Sequence, residues 1–305
     1  MLIRTAPFRV WLQGRATSHT LKGVAPGVNK RMGILYIVAT PIGNLEDVSL
    51  RALRILKEVG VIAAEDTRTT HKLLQRYDIH TPLVSYFAGN QAERIPELVE
   101  RLEREDVALA SEAGVPGIRD PGLELVNAAL EAGHNVVPIP GPSAITTALS
   151  VSGMQGDEFL FLGFLPSKKT ERRKLLEEVS LETRTLVLFE SPHRVVESLQ
   201  DMASALGPTR RVAVCRELTK LHEEIFRGTL TEAGEHFAEP RGEFTLVIEG
   251  TRDLEEREPA QVEDILADMR LLKQARAPVK EVMAQMAKVY GLSRRQAYKM
   301  WLEME

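Results

Sequence analysis

Short runs that are apolar on both faces, each closing in a loop of glycine, proline and small polar residues and followed by a helical pattern, recur along most of this 305-residue chain. Ile34-Leu35-Tyr36-Ile37-Val38-Ala39 is the first of them. A strand with no polar face has to be covered on both sides, which is the mark of a parallel sheet between two layers of helices. The alternation therefore predicts an α/β fold, and it does so twice over. Strands at 34–39, 61–64, 83–86, 107–110 and 135–138, with helices near 50–59, 70–76, 91–104 and 121–132, make a first unit. Strands at 159–164, 185–189, 211–215, 224–227 and 243–248, with helices near 143–151, 171–179, 192–206 and 230–238, make a second. There, hairpin-like and crossover connections mix, so the second sheet is not expected to be purely parallel.

The stretch Ala108-Leu109-Ala110-Ser111-Glu112-Ala113-Gly114-Val115-Pro116-Gly117-Ile118-Arg119-Asp120-Pro121-Gly122 shows where such a fold works. In open α/β sheets ligands bind beyond the carboxyl ends of the strands, where small residues let a ligand reach the backbone and a helix N-terminus offers free N–H groups. A loop with three glycines and the carboxylates Glu112 and Asp120 is longer than a connection needs; it reads equally as a strand-to-helix connection in which Asp120-Pro121 caps the next helix. Thr40-Pro41-Ile42-Gly43-Asn44, Glu65-Asp66-Thr67-Arg68 and Pro140-Gly141-Pro142-Ser143-Ala144 close other strands in the same manner.

Charge divides the chain. Residues 1–31 carry six bases and no acid, and residues 270–305 carry eight bases and three acids, so the net charge of −4 leaves −15 on the body between them. An acidic body does not hold a polyanion non-specifically, and a nucleic-acid partner would have to use local basic segments. The basic start reads either as a targeting leader or as an extension that folds with nothing, the second being favoured. No apolar run approaches the roughly 20 residues a membrane helix needs. One cysteine, Cys215, and scattered histidines argue against a disulfide framework and a zinc site, and point to a reducing, cytoplasmic setting. The expected organisation is a leader (1–31), an α/β subdomain (32–142), a second (143–250), a linker (251–259) and a basic helical tail (260–305). In the tail, a helix near 260–273, one from Pro278 to Tyr290 with Val279, Val282, Met283, Met286 and Val289 on its apolar face, a Gly291-Leu292 turn and a Ser293-capped last helix follow the helix-turn-helix pattern, or that of a small packing bundle.

Taken in order, Tyr36 to Leu45, Ala64 to Arg68, Ser111 to Pro116 with Asp120-Pro121-Gly122, Pro140 to Ala144, Gly163-Phe164-Leu165-Pro166, Phe189-Glu190-Ser191-Pro192-His193-Arg194, Arg216 to Lys220 and Gly242-Glu243-Phe244 resemble the ribosomal-RNA-modifying branch of the tetrapyrrole-methylase-like S-adenosylmethionine enzymes. The resemblance implies two αβα subdomains with S-adenosylmethionine in the cleft between them, a homodimer, and 2′-O-methylation of the ribose of cytidine 1402 (rRNA numbering) in 16S rRNA of the small ribosomal subunit. It places Pro41, Gly43 and Asn44, the loop Ser111, Glu112, Ala113, Gly114, Val115 and Pro116, and Pro142, Ser143 and Ala144 around the cofactor. Where this chain has Glu112 the resemblance carries an Asp, which keeps the charge and moves the carboxylate.

Methyl transfer from a sulfonium needs oxygen, carbon and sulfur in line, and the ribose hydroxyl must lose its proton. Glu190, Asp66 and Glu217 rank first among the carboxylates for that step, with Glu65 and His193 behind them and Arg68, Arg194 and Lys220 as stabilisers of negative charge. Each also reads as a cap or ion-pair residue. For RNA, Lys168, Lys169, Arg172 and Arg173 with Lys174 form a basic cluster after Gly163-Phe164-Leu165-Pro166, and Arg294, Arg295 and Lys299 a second in the tail. A tetrapyrrole C-methyltransferase shares the fold but has no use for either cluster. A helix-turn-helix DNA-binding regulator would use the tail and show no turnover.

Overall fold

The computed structural model describes residues 32–251, 262–274, 277–290 and 294–303. The expected leader, residues 252–259 of the expected linker, the Gly291-Leu292 turn and Ser293 lie outside the described residues.

The first sheet contains β1 (Ile34–Val38), β2 (Val61–Ala64), β3 (Leu83–Ser85), β4 (Val107–Ala110) and β5 (Asn135–Ile139), in the order β3-β2-β4-β1-β5. Every pair is parallel. β2 and β4 are buried throughout, and their alternate residues serve two different cores. Ile62, Ala108 and Ala110 meet α1 (Leu50–Glu58) and α2 (Thr67–Arg76) through Ile55, Leu56, Leu73 and Leu74. Val61, Ala63, Val107 and Leu109 meet α3 (Gln91–Leu102) and α4 (Leu123–Glu131) through Leu98, Leu102, Leu125 and Ala129. The period of two along each strand is what gives each helical layer its own apolar floor.

The second sheet contains β6 (Phe159–Phe164), β7 (Thr185–Glu190), β8 (Arg211–Arg216), β9 (Glu224–Thr229) and β10 (Phe244–Ile248), in the order β6-β7-β10-β8-β9. Only β6 and β7 are parallel; the other pairs are antiparallel, as the short β8–β9 connection demands. α5 (Ala144–Ser152) packs Ile145 and Ala148 on Val187, Ala213, Cys215 and Val247. The opposite face carries α6 (Lys169–Glu178), α7 (Val195–Leu206) and α8 (Leu230–His236) over Leu188, Val214, Leu246 and Ile248.

In the tail, α9 (Val262–Gln274), α10 (Val279–Tyr290) and α11 (Arg294–Glu303) share a small core of Ile265, Met269, Val282, Met283, Met286 and Ala297. Val279, expected on the apolar face, is 40% exposed, and the side chain of Val289 lies outside the described residues. No helix among the described residues is long and apolar enough to cross a membrane.

Among the helix starts that differ from expectation, those of α2 and α7 shape the site. α2 begins at Thr67 because the Asp66 carboxylate accepts the Arg68 N–H as an N-cap. α7 begins at Val195 because Ser191 to Arg194 form a turn in which the Ser191 carbonyl accepts the N–H groups of Arg194 and Val195.

Candidate functional site

The loops that leave β1, β2 and β4 face the ends of β7, β8 and β10 across a cleft of about 550 Å³, a volume suited to one small molecule. Its first-sheet wall is held by backbone pairing. Thr40 and Gly114 exchange both N–H···O bonds at 2.8 and 3.1 Å, and the Thr40 hydroxyl donates to the Ser111 carbonyl, so the 111–116 loop is stapled to the end of β1. The Ser111 hydroxyl donates to Gly114 and closes the loop on itself. Gly43 is a close-approach position: a β-carbon there would stand 2.8 Å from the Leu218 carbonyl and 2.7 Å from the Thr219 hydroxyl. Beside it the Asn44 N–H donates to Thr219 Oγ1 at 3.0 Å, joining the two halves directly. Ser143 stands at the N-cap of α5 without making a capping bond, and Ser143, Ala144 and Ile145 line the cleft.

Of the residues expected around a cofactor, Pro41, Gly43, Glu112, Ala113, Gly114, Val115, Ser143 and Ala144 line this cleft. Asn44, Ser111, Pro116 and Pro142 are not among its lining; Asn44 is exposed and Ser111 is buried.

The three carboxylates ranked for proton transfer are all committed. Glu190 lines the cleft and is buried; its Oε1 accepts from Arg194 Nη2 and Nε and from the Ser191 N–H, and its Oε2 accepts from the Ser198 hydroxyl at 2.6 Å. Asp66 is occupied by capping α2 and by Arg68, whose hydrogen bonds hold its carboxyl below the usual range. Glu217 binds Lys220 at 2.9 Å and the Glu243 N–H; burial pushes its carboxyl up, but these partners outweigh that and bring it below its usual value. Asp66 and Glu217, held below their usual range in this way, are poor proton acceptors. Neither Asp66 nor Glu217 lines the cleft, whereas their neighbours Glu65, Lys220 and Glu243 do. Arg68 and His193 are exposed, the former paired with Asp66, and Arg194 is spent on Glu190.

The carboxyl that sequence reasoning underrated is Asp120. α4 starts at Leu123 with Gly122 at its N-cap, so Asp120 is not the cap expected from Asp120-Pro121 and turns into the cleft beside Glu65 and Glu112. Burial first, and then the negative charge of Glu65 and Glu112, raise its pKa to about 7 against an opposing hydrogen bond from Ser111. Glu65 is raised too, chiefly by burial. Asp120 is protonated in the fold at acid pH, and between about pH 4 and 7 the fold gives up the stability that came from keeping it neutral. Asp120→Asn is therefore expected to match the parent near pH 4 and to melt higher above pH 7.5, by at least about 2–4 °C, because solvent reaching the half-buried carboxyl leaves only part of the roughly 4 kcal/mol that a rise from 3.8 to about 7 represents. Equal melting temperatures across a calorimetric pH series would refute that environment.

Of the expected RNA-contacting residues, Lys168 and Lys169 are exposed, Arg173 is half-exposed, and Lys299 is exposed. Arg172 belongs elsewhere: it is fully buried, with Nη2 at 2.7 Å from Asp201 and 2.8 Å from Glu197, and cannot reach a phosphate. The side chains of Arg294 and Arg295 lie outside the described residues. The cleft also contains Arg119, Phe164 and Phe189, which no spacing in the sequence singled out.

The family model of tetrapyrrole (corrin/porphyrin) methylases matches residues 34–234. A protein of Synechocystis sp. named ribosomal RNA small subunit methyltransferase I is 46% identical over 277 residues, 90% of this chain and 99% of that one. Its namesake in Escherichia coli O157:H7 is 43% identical over 278 residues, 90% of this chain and 96% of the other. Among solved structures, a cobalt precorrin-4 methyltransferase superposes with a TM-score of 0.56 at 15% identity, over 74% of this chain and 98% of that one. A uroporphyrin-III C-methyl transferase from Thermus thermophilus, complexed with S-adenyl homocysteine, gives 0.53 at 21% identity, over 71% and 97%. At these identities the two structures share the fold.

Proposed function

This chain belongs to the tetrapyrrole (corrin/porphyrin) methylases and, among them, to the ribosomal RNA small subunit methyltransferase I family, and we propose that it methylates the 2′-hydroxyl of cytidine 1402 (rRNA numbering) in 16S rRNA with S-adenosylmethionine. The observation that carries this reading is the cleft between the sheets. Its donor set suits that cofactor: Glu65, Glu112 and Asp120 complement a sulfonium and an ammonium, the uncapped start of α5 suits a carboxylate, and Ile42, Val115 and Phe189 offer apolar wall to a base. Pro41, Gly43, Glu112 to Val115, Ser143 and Ala144 would hold it, with Asn44, Ser111, Pro116 and Pro142 as their neighbours along the chain.

S-adenosylmethionine supplies a methyl group on positively charged sulfur. What the chain must supply is alignment and a place for the hydroxyl proton. We assign that proton to Asp120, whose pKa of about 7 is matched to an acceptor working near neutrality. Glu190, Asp66 and Glu217 then act as positioning residues: Glu190 fixes Arg194 and the turn before α7, Asp66 the start of α2, and Glu217 the Lys220 side chain. Lys168, Lys169 and Arg173, with Arg294, Arg295 and Lys299 of the tail, receive the RNA backbone. A homodimer acting in the cytoplasm is part of the same reading.

The test is transfer of a labelled methyl group from S-adenosylmethionine to small ribosomal subunits from cells lacking this protein, followed by nuclease digestion and mass spectrometry. One 2′-O-methylated cytidine is expected. In the same assay Asp120→Asn is expected to lose roughly 100-fold or more in turnover and the limb of the pH–rate profile near 7. Intact cofactor binding with no transfer to particles or RNA would move the acceptor to a small molecule.

A further inference from the structure

The cleft lining contains two cationic side chains among the described residues, Arg119 and Lys220, and five carboxylates. Lys220 is neutralised, with Nζ at 2.9 Å from Glu217 and 3.0 Å from Glu243. Arg119 forms no hydrogen bond or ion pair with any described residue, although Asp120 follows it directly and Glu65 and Glu112 line the same cleft. It is exposed, and its guanidinium lies over the Phe164 ring, 5.7 Å from the centroid.

Two backbone features hold it there. Arg119 has φ of 68°, a left-handed conformation that a non-glycine residue adopts at a cost. Its side chain crosses Gly163, itself at φ of 68° beside a register shift between β6 and β7, where a β-carbon would stand 2.8 Å from Arg119 Cδ and Nε. The bare glycine backbone makes the slot in which the arginine lies. A guanidinium with one face on an aromatic ring keeps its N–H edges available, and those edges fit the paired oxygens of a phosphate.

Resting on the methylation of RNA ribose proposed above, we infer that Arg119 is a positioning residue that holds the phosphodiester next to the acceptor ribose at the cleft mouth. A 2′-hydroxyl always stands beside the phosphate on its own 3′-oxygen, so bringing the one into an acidic cleft brings the other. Among the described residues, Arg119 is the lining cation not matched by a carboxylate. Phe164, on which it lies, ends β6 and is followed within five residues by the exposed Lys168 and Lys169, so the cleft wall and the basic segment are consecutive along the chain.

The experiment compares the parent with Arg119→Asn, which tolerates the left-handed backbone, and Arg119→Lys, in methyl transfer to unmethylated small ribosomal subunits. For Arg119→Asn the KM for particles is expected to rise roughly tenfold, with kcat and the KM for S-adenosylmethionine within about twofold of the parent. The salt dependence of particle binding is expected to flatten by about one phosphate contact, and lysine to recover part of the loss. An unchanged KM for particles overturns the assignment. A rise confined to the KM for S-adenosylmethionine overturns it in favour of the donor's carboxylate. If the parent itself transfers nothing to particles, the RNA reading fails and the inference goes with it, an outcome visible before any variant is made.

Discussion

Arg172→Ala is expected to lower the stability of the fold by about 3–5 kcal/mol, because it takes from a buried carboxylate its buried partner and two of its three hydrogen bonds. Asp201 is almost fully enclosed; its Oδ2 accepts from Arg172 Nε at 2.9 Å and Nη2 at 2.7 Å, and its Oδ1 accepts from Arg173 Nε at 2.8 Å. Burial pushes the Asp201 carboxyl up, and the bonds from Arg173 and Arg172 outweigh that to hold it below the usual range. Arg172 also donates through Nη1 to the Ser167 carbonyl at 3.3 Å, so its loss loosens the strand-to-helix turn before α6. Arg173→Ala removes a half-exposed partner and is expected to cost 1 kcal/mol or less. Urea unfolding of the two variants checks this directly; equal losses would mean that burial does not separate them. Any charge-reversal experiment on the basic segment should therefore change Lys168, Lys169 and Arg173 and leave Arg172 in place.

Gly43→Ala is expected to cost about 1–3 kcal/mol in stability and at least tenfold in S-adenosylmethionine affinity. The new methyl would stand 2.5 Å from Lys220 Cγ, 2.7 Å from Thr219 Oγ1 and 2.8 Å from the Leu218 carbonyl. A lysine stem can move aside, but a backbone carbonyl in a turn with Glu217 and Thr219 at φ of 51° and 64° cannot do so without moving the loop. The Asn44–Thr219 bond is the first to break, and the cleft opens between its two walls. Thr219→Ala removes that bond without adding bulk and is expected to weaken cofactor binding less. Calorimetric titration of both distinguishes the wedge from the bond; equal losses would show that the contact and not the space is what counts.

All ten strands among the described residues were legible in the sequence: β2, β4 and β10 are buried throughout and read as short apolar runs, and the partly exposed β3, β5, β6 and β9 read from β-rich runs set between turns and helical patterns. So was the location of the cleft, since glycine, proline and small polar residues at strand ends have few other uses. Partnership across long separations was not legible. Arg172 and Arg173 are chemically equivalent as a pair of letters; one helical step apart, both reach Asp201, from 29 and 28 residues away, but Arg172 is buried there and Arg173 stands half in water. Local partnership is just as hard to read from the letters: Arg194, Arg68 and Lys220 stand only four, two and three residues from Glu190, Asp66 and Glu217, and each cation pairs with that carboxylate and is not free to act alone. Asp120 was masked by the proline after it, which made a helix cap a sufficient explanation, and Arg119 by the need for a glycine on another sheet to give it room.

The bond between Asn44 and Thr219 spans 175 residues and joins a first sheet whose strands all come from residues 34–139 to a loop that exists only after β8 has paired. Each sheet is built from its own segment, so parting of the two walls is expected to precede the loss of either sheet. The Asn44 amide is a clock for that event: its deuterium exchange should follow separation of the two walls, well before the amides of β4 report global unfolding. A cofactor that bridges the walls would slow that clock while leaving the amides within each sheet nearly unchanged.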